Sequence, residues 1–335
     1  MDTVVNEFNS FFVNIGPNLA NEITKAQGNL TGSQKRESKM MQSMYLSEVD
    51  ETEILSVVQK LKNKTSIDSA GIDMKITKKT IDCIARPLCY IFNLSFKTGV
   101  FPEAMKTAKV IPIHKTGDRH SFNNYRPVSL LSQFSKILEK LFTLRLNSFI
   151  EKNNLLNDYQ YGFRTNRSTA LAMMKVTEDI STAIDEKKYT IGLFIDLKKA
   201  FDTVDHSILI SKLNLFGVRG VVLNWLTNYL HKRQQYVHFI GHSSKCMNIE
   251  CGITQGSILG PILFLLYIND ISEVSNVLRP VLFADDTAMF RSGKNGNHLI
   301  ENIEIELVKL KYWFNNNKLS LNLEKTKFMV FTNKK

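Results

Sequence analysis

Carboxylates at the ends of very apolar strands constrain this chain more than any other feature. YTIGLFID (189–196) is a run of strand formers that closes on Asp196, and VLFADDTAMF (281–290) reads as strand, acidic turn and strand, with Asp285 and Asp286 at the tip. Runs this apolar belong inside a sheet. Taken singly, an acid at a strand end is an ordinary turn residue, and an adjacent Asp pair is an ordinary loop. Together they say more, because two such strands should be neighbours in one sheet and would then bring three carboxylates close. Their mutual repulsion is relieved by a cation, and hard oxygen ligands suit Mg²⁺. Two such ions, roughly 3.5–4 Å apart, can hold the attacking and leaving oxygens of an in-line phosphoryl displacement.

The rest of the chain fills out a layered domain. Residues 1–27 read as an amphipathic helix with Phe8, Phe11, Phe12, Ile15 and Leu19 on one side, followed by a polar linker near 28–46. Ser47-Glu-Val-Asp50 has the form of a capping box opening a helix through Lys62. Further helices are expected at about 77–96, 132–152, 168–187, 205–216, 219–231, 257–271 and 298–314, with strands at 107–115 and 327–331 and a hairpin at 234–251. No repeat with a period of 20–50 residues is visible. Strands interleaved with helices from about residue 100 onward indicate an α/β or α+β architecture.

The chain of 335 residues carries 43 Lys+Arg against 32 Asp+Glu, a net charge of +11. The excess is local: residues 101–175 hold 12 basic and 5 acidic side chains, whereas residues 1–50 hold 4 and 6. A basic footprint of this kind points to a polyanion, nucleic acid before membrane. Hydrophobic residues at 43% with only 16 Gly and 7 Pro exclude a low-complexity or largely disordered chain. The start of the sequence lacks the basic region and apolar core of a signal peptide, and the longest apolar run, Ile258 to Ile268, is too short to cross a bilayer. An intracellular protein, nuclear or cytoplasmic, with reduced thiols at Cys83, Cys89, Cys246 and Cys251 is expected. His238, His242, Cys246 and Cys251 have spacings a zinc site could use, but no C-x-x-C knuckle is present. A β-hairpin around Gly241-His242-Ser243-Ser244 explains them better.

Residues near the acids suit nucleotidyl transfer, although each has a plainer reading. Gln255-Gly256-Ser257 opens an apolar helix straight after a strand, where backbone can approach a ligand; it also reads as an ordinary turn capped by Ser257. Phe201, five residues after Asp196, is equally a core ring, and Lys325 a solvated lysine. Lys115 and Arg126 could hold phosphate oxygens or belong to a generic basic surface.

At this point the ordered motifs resemble a family. FIDLKKAFDTVDH (194–206), GITQGSILGPILFLLYINDI (252–271), FADD (283–286) and NKLSLNLEKTKFMVF (317–331) are similar to the reverse transcriptase of non-LTR retrotransposons, the jockey-like group in particular. Upstream, residues 109–140, YQYGFRTNRSTA (159–170) and NEFNSFFVNIGPNLA (6–20) resemble further segments of that family, while LKNKTSIDSAGID (61–73) is a loosened form of its entry motif. The resemblance covers nearly the whole chain.

The resemblance implies an α+β fold of fingers and palm, the palm an antiparallel sheet backed by helices. Residues 1–62 would be a helical extension, 63–188 the fingers and 189–335 the palm, the reverse transcriptase domain overall running from about 95 to 335. Asp196, Asp285 and the backbone carbonyl of Leu197 would bind two Mg²⁺ ions, for which Mn²⁺ could substitute, and Asp286 would be the third carboxylate. Phe201, with Ala200 beside it, would lie under the sugar and reject a 2′-hydroxyl. Gln255 and Gly256 would line the nucleotide pocket, Arg126 and Lys115 would hold the triphosphate, and Lys325 would protonate the leaving pyrophosphate. The partners implied are an RNA template, a DNA primer and dNTPs, with no membrane. Phe283 stands where many reverse transcriptases have Tyr, and Thr254 where many of this group have Pro; neither change removes a ligand. From the motifs alone, a chain without an endonuclease before them and without a thumb, Cys/His knuckle or RNase H-like segment after them is expected. The sequence is therefore expected to be a fragment of a retroelement polyprotein, or a non-catalytic nucleic-acid-binding relic of one.

Overall fold

The computed structural model describes residues 1–27 and 41–334. The helices are α1 (Asp2–Gln27), α2 (Glu51–Lys60), α3 (Met74–Thr98), α4 (Gln133–Lys152), α5 (Thr169–Asp185), α6 (His206–Leu215), α7 (Gly220–Leu230), α8 (Gly260–Ile268) and α9 (Gly296–Asn316). The strands are β1 (Thr107–His114), β2 (Tyr125–Leu130), β3 (Tyr189–Ile195), β4 (Arg233–Phe239), β5 (His242–Ser243), β6 (Met247–Ile249), β7 (Arg279–Phe283), β8 (Asp286–Gly293) and β9 (Lys327–Phe331). Of the polar linker expected near 28–46, residues 28–40 lie outside the described residues.

The described residues form two compact units, each discontinuous in sequence. One gathers Met1–Asn18, 41–153 and Asp205–Gly260; the other holds 19–27, Asn154–Val204 and Pro261 to residue 334.

The first unit is built on a sheet of order β2-β1-β4-β5, with β6 also paired to β4. β1 runs antiparallel to β2 but parallel to β4, a strand more than 100 residues away in sequence. Its core is aromatic: Trp225 of α7 is stacked between Phe142 of α4 at 4.1 Å and Tyr229 at 5.7 Å, with Phe96 and Phe101 edge-on. The indole N–H donates to Ser95 Oγ at 2.9 Å, so this buried donor is satisfied. α1 packs its Phe8 against Phe122, Tyr125 and Phe239. The hairpin expected at 234–251 forms as β4 with β5 and β6, His238 meeting Ser243 and His242 meeting Asp2. α2 begins later than its capping box suggests. The carboxylate of Asp50, not Ser47, caps it by accepting the Glu53 N–H at 2.7 Å, which ties down one of the amides a helix start leaves unpaired.

The second unit is a four-stranded antiparallel sheet of order β7-β8-β3-β9. The apolar run of β3 lies between β8 and β9, an interior position in keeping with its composition. One face is covered by α5, where Ala172, Val176 and Ile180 join Tyr161, Val281 and Phe290 in a single cluster. α9 buries Leu299, Ile303, Leu310 and Phe314. Among the described residues no helix is long and apolar enough to cross a membrane.

Candidate active site

The acids gather where the apolar strands end. Asp196 follows the last residue of β3, and Ile195 of β3 is in register with Thr287 of β8, next to Asp286. Partial burial of the hairpin tip and then the charges of Asp285 and Asp196 hold the Asp286 carboxyl above its usual range, although Asp286 itself is solvent-exposed. That crowding is the repulsion the sequence led us to expect, and a hard divalent cation is the chemistry that relieves it. Carboxylates are the donor chemistry such an ion takes; among the described residues, however, no three His, Cys, Asp or Glu side chains are grouped so that they could hold one.

Each acid has a structural support. Asn322, in the turn before β9, donates from Nδ2 to Asp196 Oδ2 at 2.8 Å, and its backbone N–H donates to the Asp196 carbonyl at 2.9 Å. Leu197 pairs with Leu321 in an isolated antiparallel bridge, and the Lys198 N–H donates to the Ser320 carbonyl at 2.8 Å. Sequence reasoning singled out Lys325 in this turn and missed Asn322. Lys325 is exposed, its backbone N–H donating to the Asn322 carbonyl.

β7 and β8 are joined through Ala284 and Asp285, and Ala284 takes a φ of +56°, a left-handed conformation disfavoured for any residue with a Cβ. Residues 159–162 lie along β7 and brace this turn. The Tyr161 N–H donates to the Leu282 carbonyl at 2.8 Å and the Leu282 N–H to the Tyr159 carbonyl at 2.9 Å. A Cβ on Gly162 would come within 2.2 Å of the Ala284 nitrogen, so only glycine fits there.

Phe201 is half-buried, one face stacked on the fully buried Phe264 with ring centroids 4.6 Å apart. Ala200 is buried and its carbonyl accepts from Thr203 Oγ1. All of these residues belong to the second unit.

Lys115, Arg126, Gln255 and Gly256 belong to the first unit. β2 alternates buried and exposed side chains, with Arg126 on the exposed face in register with Ile113 of β1, and Lys115 is exposed just past the end of β1. The Gln255 carbonyl accepts the Ser129 N–H at 2.9 Å. Gly256, at a φ of +113°, lies so close to β2 that a Cβ would be 2.6 Å from the Ser129 carbonyl oxygen. Ser257 Oγ accepts the Gly260 N–H at 3.0 Å, so the capped-turn reading of Ser257 holds, and the helix starts at Gly260, three residues later than expected.

A second missed residue explains the delay. Glu139 of α4 is fully buried and its Oε2 accepts the N–H groups of Ile258 at 2.7 Å and Leu259 at 3.4 Å, while Oε1 accepts from Ser135. The amides at the head of α8 are thus engaged by a carboxylate of the protein itself. Burial pushes the Glu139 carboxyl up, while the buried Arg233 and these hydrogen bonds pull it down.

Compared with known families, residues 113–334 match the one described as reverse transcriptase (RNA-dependent DNA polymerase). The chain is 30% identical over 307 residues to the RNA-directed DNA polymerase from mobile element jockey of Drosophila melanogaster, a match covering 89% of this chain and 33% of the relative. It is 32% identical over 311 residues to the probable RNA-directed DNA polymerase from transposon BS of the same organism, covering 88% and 33%. A third relative, the probable RNA-directed DNA polymerase from transposon X-element, is 31% identical over 250 residues, covering 73% and 27%. The chain spans about a third of the length of the first two relatives. The expected likeness to jockey-type elements is borne out, as is a mixed helix-and-sheet architecture with sheets backed by helices.

Proposed function

The chain belongs to the reverse transcriptase (RNA-dependent DNA polymerase) family, and on that premise we propose that it is the RNA-directed DNA polymerase domain of a non-LTR retrotransposon, extending a DNA primer on an RNA template with dNTPs. The observation that carries the reading is the placement of Asp196 just past β3 and of Asp285 and Asp286 at the tip of β7–β8, with Ile195 of β3 in register with Thr287 of β8.

In this reading Asp196, Asp285 and the Leu197 carbonyl hold two divalent ions, Mg²⁺ or Mn²⁺, with Asp286 completing the acidic set. When bound, such ions stabilise charge on the attacking and leaving oxygens of a phosphoryl displacement. Asn322 keeps Asp196 oriented, so that one carboxylate oxygen is committed to the protein and the other is available. Arg126 and Lys115 bind triphosphate oxygens, the planar guanidinium in bidentate fashion. Gln255 and Gly256 line the nucleotide pocket, Ala200 and Phe201 form the floor under the sugar, and Lys325 delivers a proton to the departing pyrophosphate. Residues 63–188 act as fingers and 189–335 as palm, with 1–62 as an N-terminal extension.

Primer extension on poly(rA)/oligo(dT) with Mg²⁺ tests the assignment. Asp196→Ala, Asp285→Ala and Asp286→Ala should each lower turnover by more than about 10²-fold, because charge stabilisation in the transition state is lost. Duplex binding should be unchanged or tighter, since each substitution removes a negative charge near a phosphate backbone. Wild-type turnover in any one of the three would refute the acidic triad.

A further inference from the structure

The turn that carries Asp285 and Asp286 is held in its left-handed conformation by a residue to which no role has been assigned. Gln160 is 2% exposed and more than 120 residues away in sequence, and its Oε1 accepts two backbone N–H groups at once, from Gly162 at 2.8 Å and from Ala284 at 3.1 Å. Ala284 directly precedes the two acids and has the φ of +56° described above. The Gln160 Nε2 is buried and finds no hydrogen-bond partner among the described residues. A buried orphan donor is costly, so the residue is retained here for its oxygen.

We propose that Gln160 is a positioning residue of the active site: its side-chain oxygen fixes the Ala284 amide and thereby sets where Asp285 and Asp286 present their carboxylates to a divalent cation. The inference rests on the polymerase reading above, in that it takes these acids to be the metal ligands. Three features make the effect local. The bond is to the turn itself and not to the strands, whose own ladder with residues 159–161 is independent of the Gln160 side chain. Gly162, the other donor to Oε1, has no room for a Cβ against Ala284, so brace and turn are in direct contact. Finally, a carboxamide supplies the acceptor without charge, where a carboxylate would add a fourth negative group beside Asp196, Asp285 and Asp286.

The test uses the 335-residue chain and Mn²⁺ alone, its binding followed by electron paramagnetic resonance, together with hydrogen exchange at the Ala284 amide and thermal melting. Gln160→Met keeps length and volume but removes the acceptor. It should weaken Mn²⁺ binding by about tenfold, the lower end of what loss of a residue supporting metal ligands costs, and speed exchange at Ala284. Gln160→Glu, which restores an acceptor oxygen, should return protection to the Ala284 amide and Mn²⁺ affinity to the wild-type value or above. If Gln160→Met exchanges faster and melts lower yet binds Mn²⁺ as tightly as wild type, Gln160 is a packing residue and the proposal is overturned. Unchanged exchange at Ala284 in that variant would overturn it equally. A distinct failure is seen with Asp285→Asn: if that variant binds Mn²⁺ as the wild type does, the acids are not the metal ligands and the reading beneath the proposal falls.

Discussion

Phe201→Ala separates sugar selection from packing, because the half-buried ring is stacked on Phe264 and is also the proposed floor under the sugar. Truncating a fully buried phenylalanine costs about 3–5 kcal/mol. Phe201 is half-buried and is stacked on Phe264 at 4.6 Å. About half of the full cost applies, roughly 1.5–2.5 kcal/mol, of which an aromatic pair supplies about 0.5–1.5. At about 2–4 °C per kcal/mol for a unit of this size, melting should fall by about 3–10 °C. In the proposed reading a 2′-hydroxyl would collide with this ring, and a steric wall needs bulk alone. The ratio of UTP to dTTP incorporated on poly(rA)/oligo(dT) should therefore rise at least about tenfold, equivalent to about 1.4 kcal/mol of differential barrier. Competitive incorporation and thermal melting on one preparation read both effects, and Phe201→Tyr, which keeps the bulk, should retain the wild-type ratio. A variant that melts several degrees lower with unaltered sugar selectivity would refute the gate and leave Phe201 as the partner of Phe264.

Glu139→Ala should cost about 3–5 kcal/mol in urea denaturation, since it strips the head of α8 of its acceptor and removes the negative charge that offsets the buried Arg233; Glu139→Gln, which keeps an acceptor of the same shape, should cost distinctly less. Nucleic-acid binding should be nearly blind to sequence, with log K falling against log salt with a slope near −4 for about five phosphate contacts, and a flat response would remove nucleic acid as the partner. Arg126→Ala should raise the KM for dNTP more than it weakens duplex binding, and equal effects would move Arg126 to the template surface. Burial holds the His206 pKa below its usual value, with Nε2 against the Gly252 carbonyl; the unfolded chain then binds a proton that the folded one resists, so stability should fall as pH drops below about 6.5 and His206→Gln should flatten that loss in pH-dependent melting.

What the sequence discloses and what it hides divide by range. The β7–β8 hairpin was readable because its signal is contained in ten residues, VLFADDTAMF, and β9 was read to the residue from KFMVF. The interior place of β3 followed from its apolar density. The parallel pairing of β1 with β4 has no such local signature, since more than 100 residues, with both helices and strands, separate the two in sequence. The same holds at the site. Asp196, Asp285 and Asp286 stood out because acids at apolar strand ends are conspicuous in the chain itself. Glu139, Asn322 and Gln160 did not, for their partners are 119, 126 and 124 residues distant. Within its own helix Glu139 reads as an unremarkable charge in SKILEK, and only its burial against the amides of Ile258 and Leu259 reveals what it does. Local capping signals misled in a similar way: Ser47 satisfies the pattern, yet Asp50 is the residue whose carboxylate meets the first turn.

The supporting residues also follow a rule of charge. Near the acids, where partial burial and the neighbouring charges raise the Asp286 pKa, the supports are carboxamides: Asn322 donates to Asp196, and Gln160 accepts from the turn. Neither adds to the charge, and Asn322 lowers repulsion by presenting a donor to one carboxylate oxygen. In the other unit the Gln255 turn is supported by a carboxylate, Glu139, and there a negative group suits the setting. It faces the N-terminal amides of a helix, where the dipole favours an anion, and a buried arginine offsets its charge. Each exchange would carry a cost: without a cation a carboxylate at 160 would crowd the acids further, and a carboxamide at 139 would remove the charge that offsets the buried Arg233. The choice between amide and acid at each support is set by the field already present, which is why residues that touch no reacting atom still bear on where the acids stand.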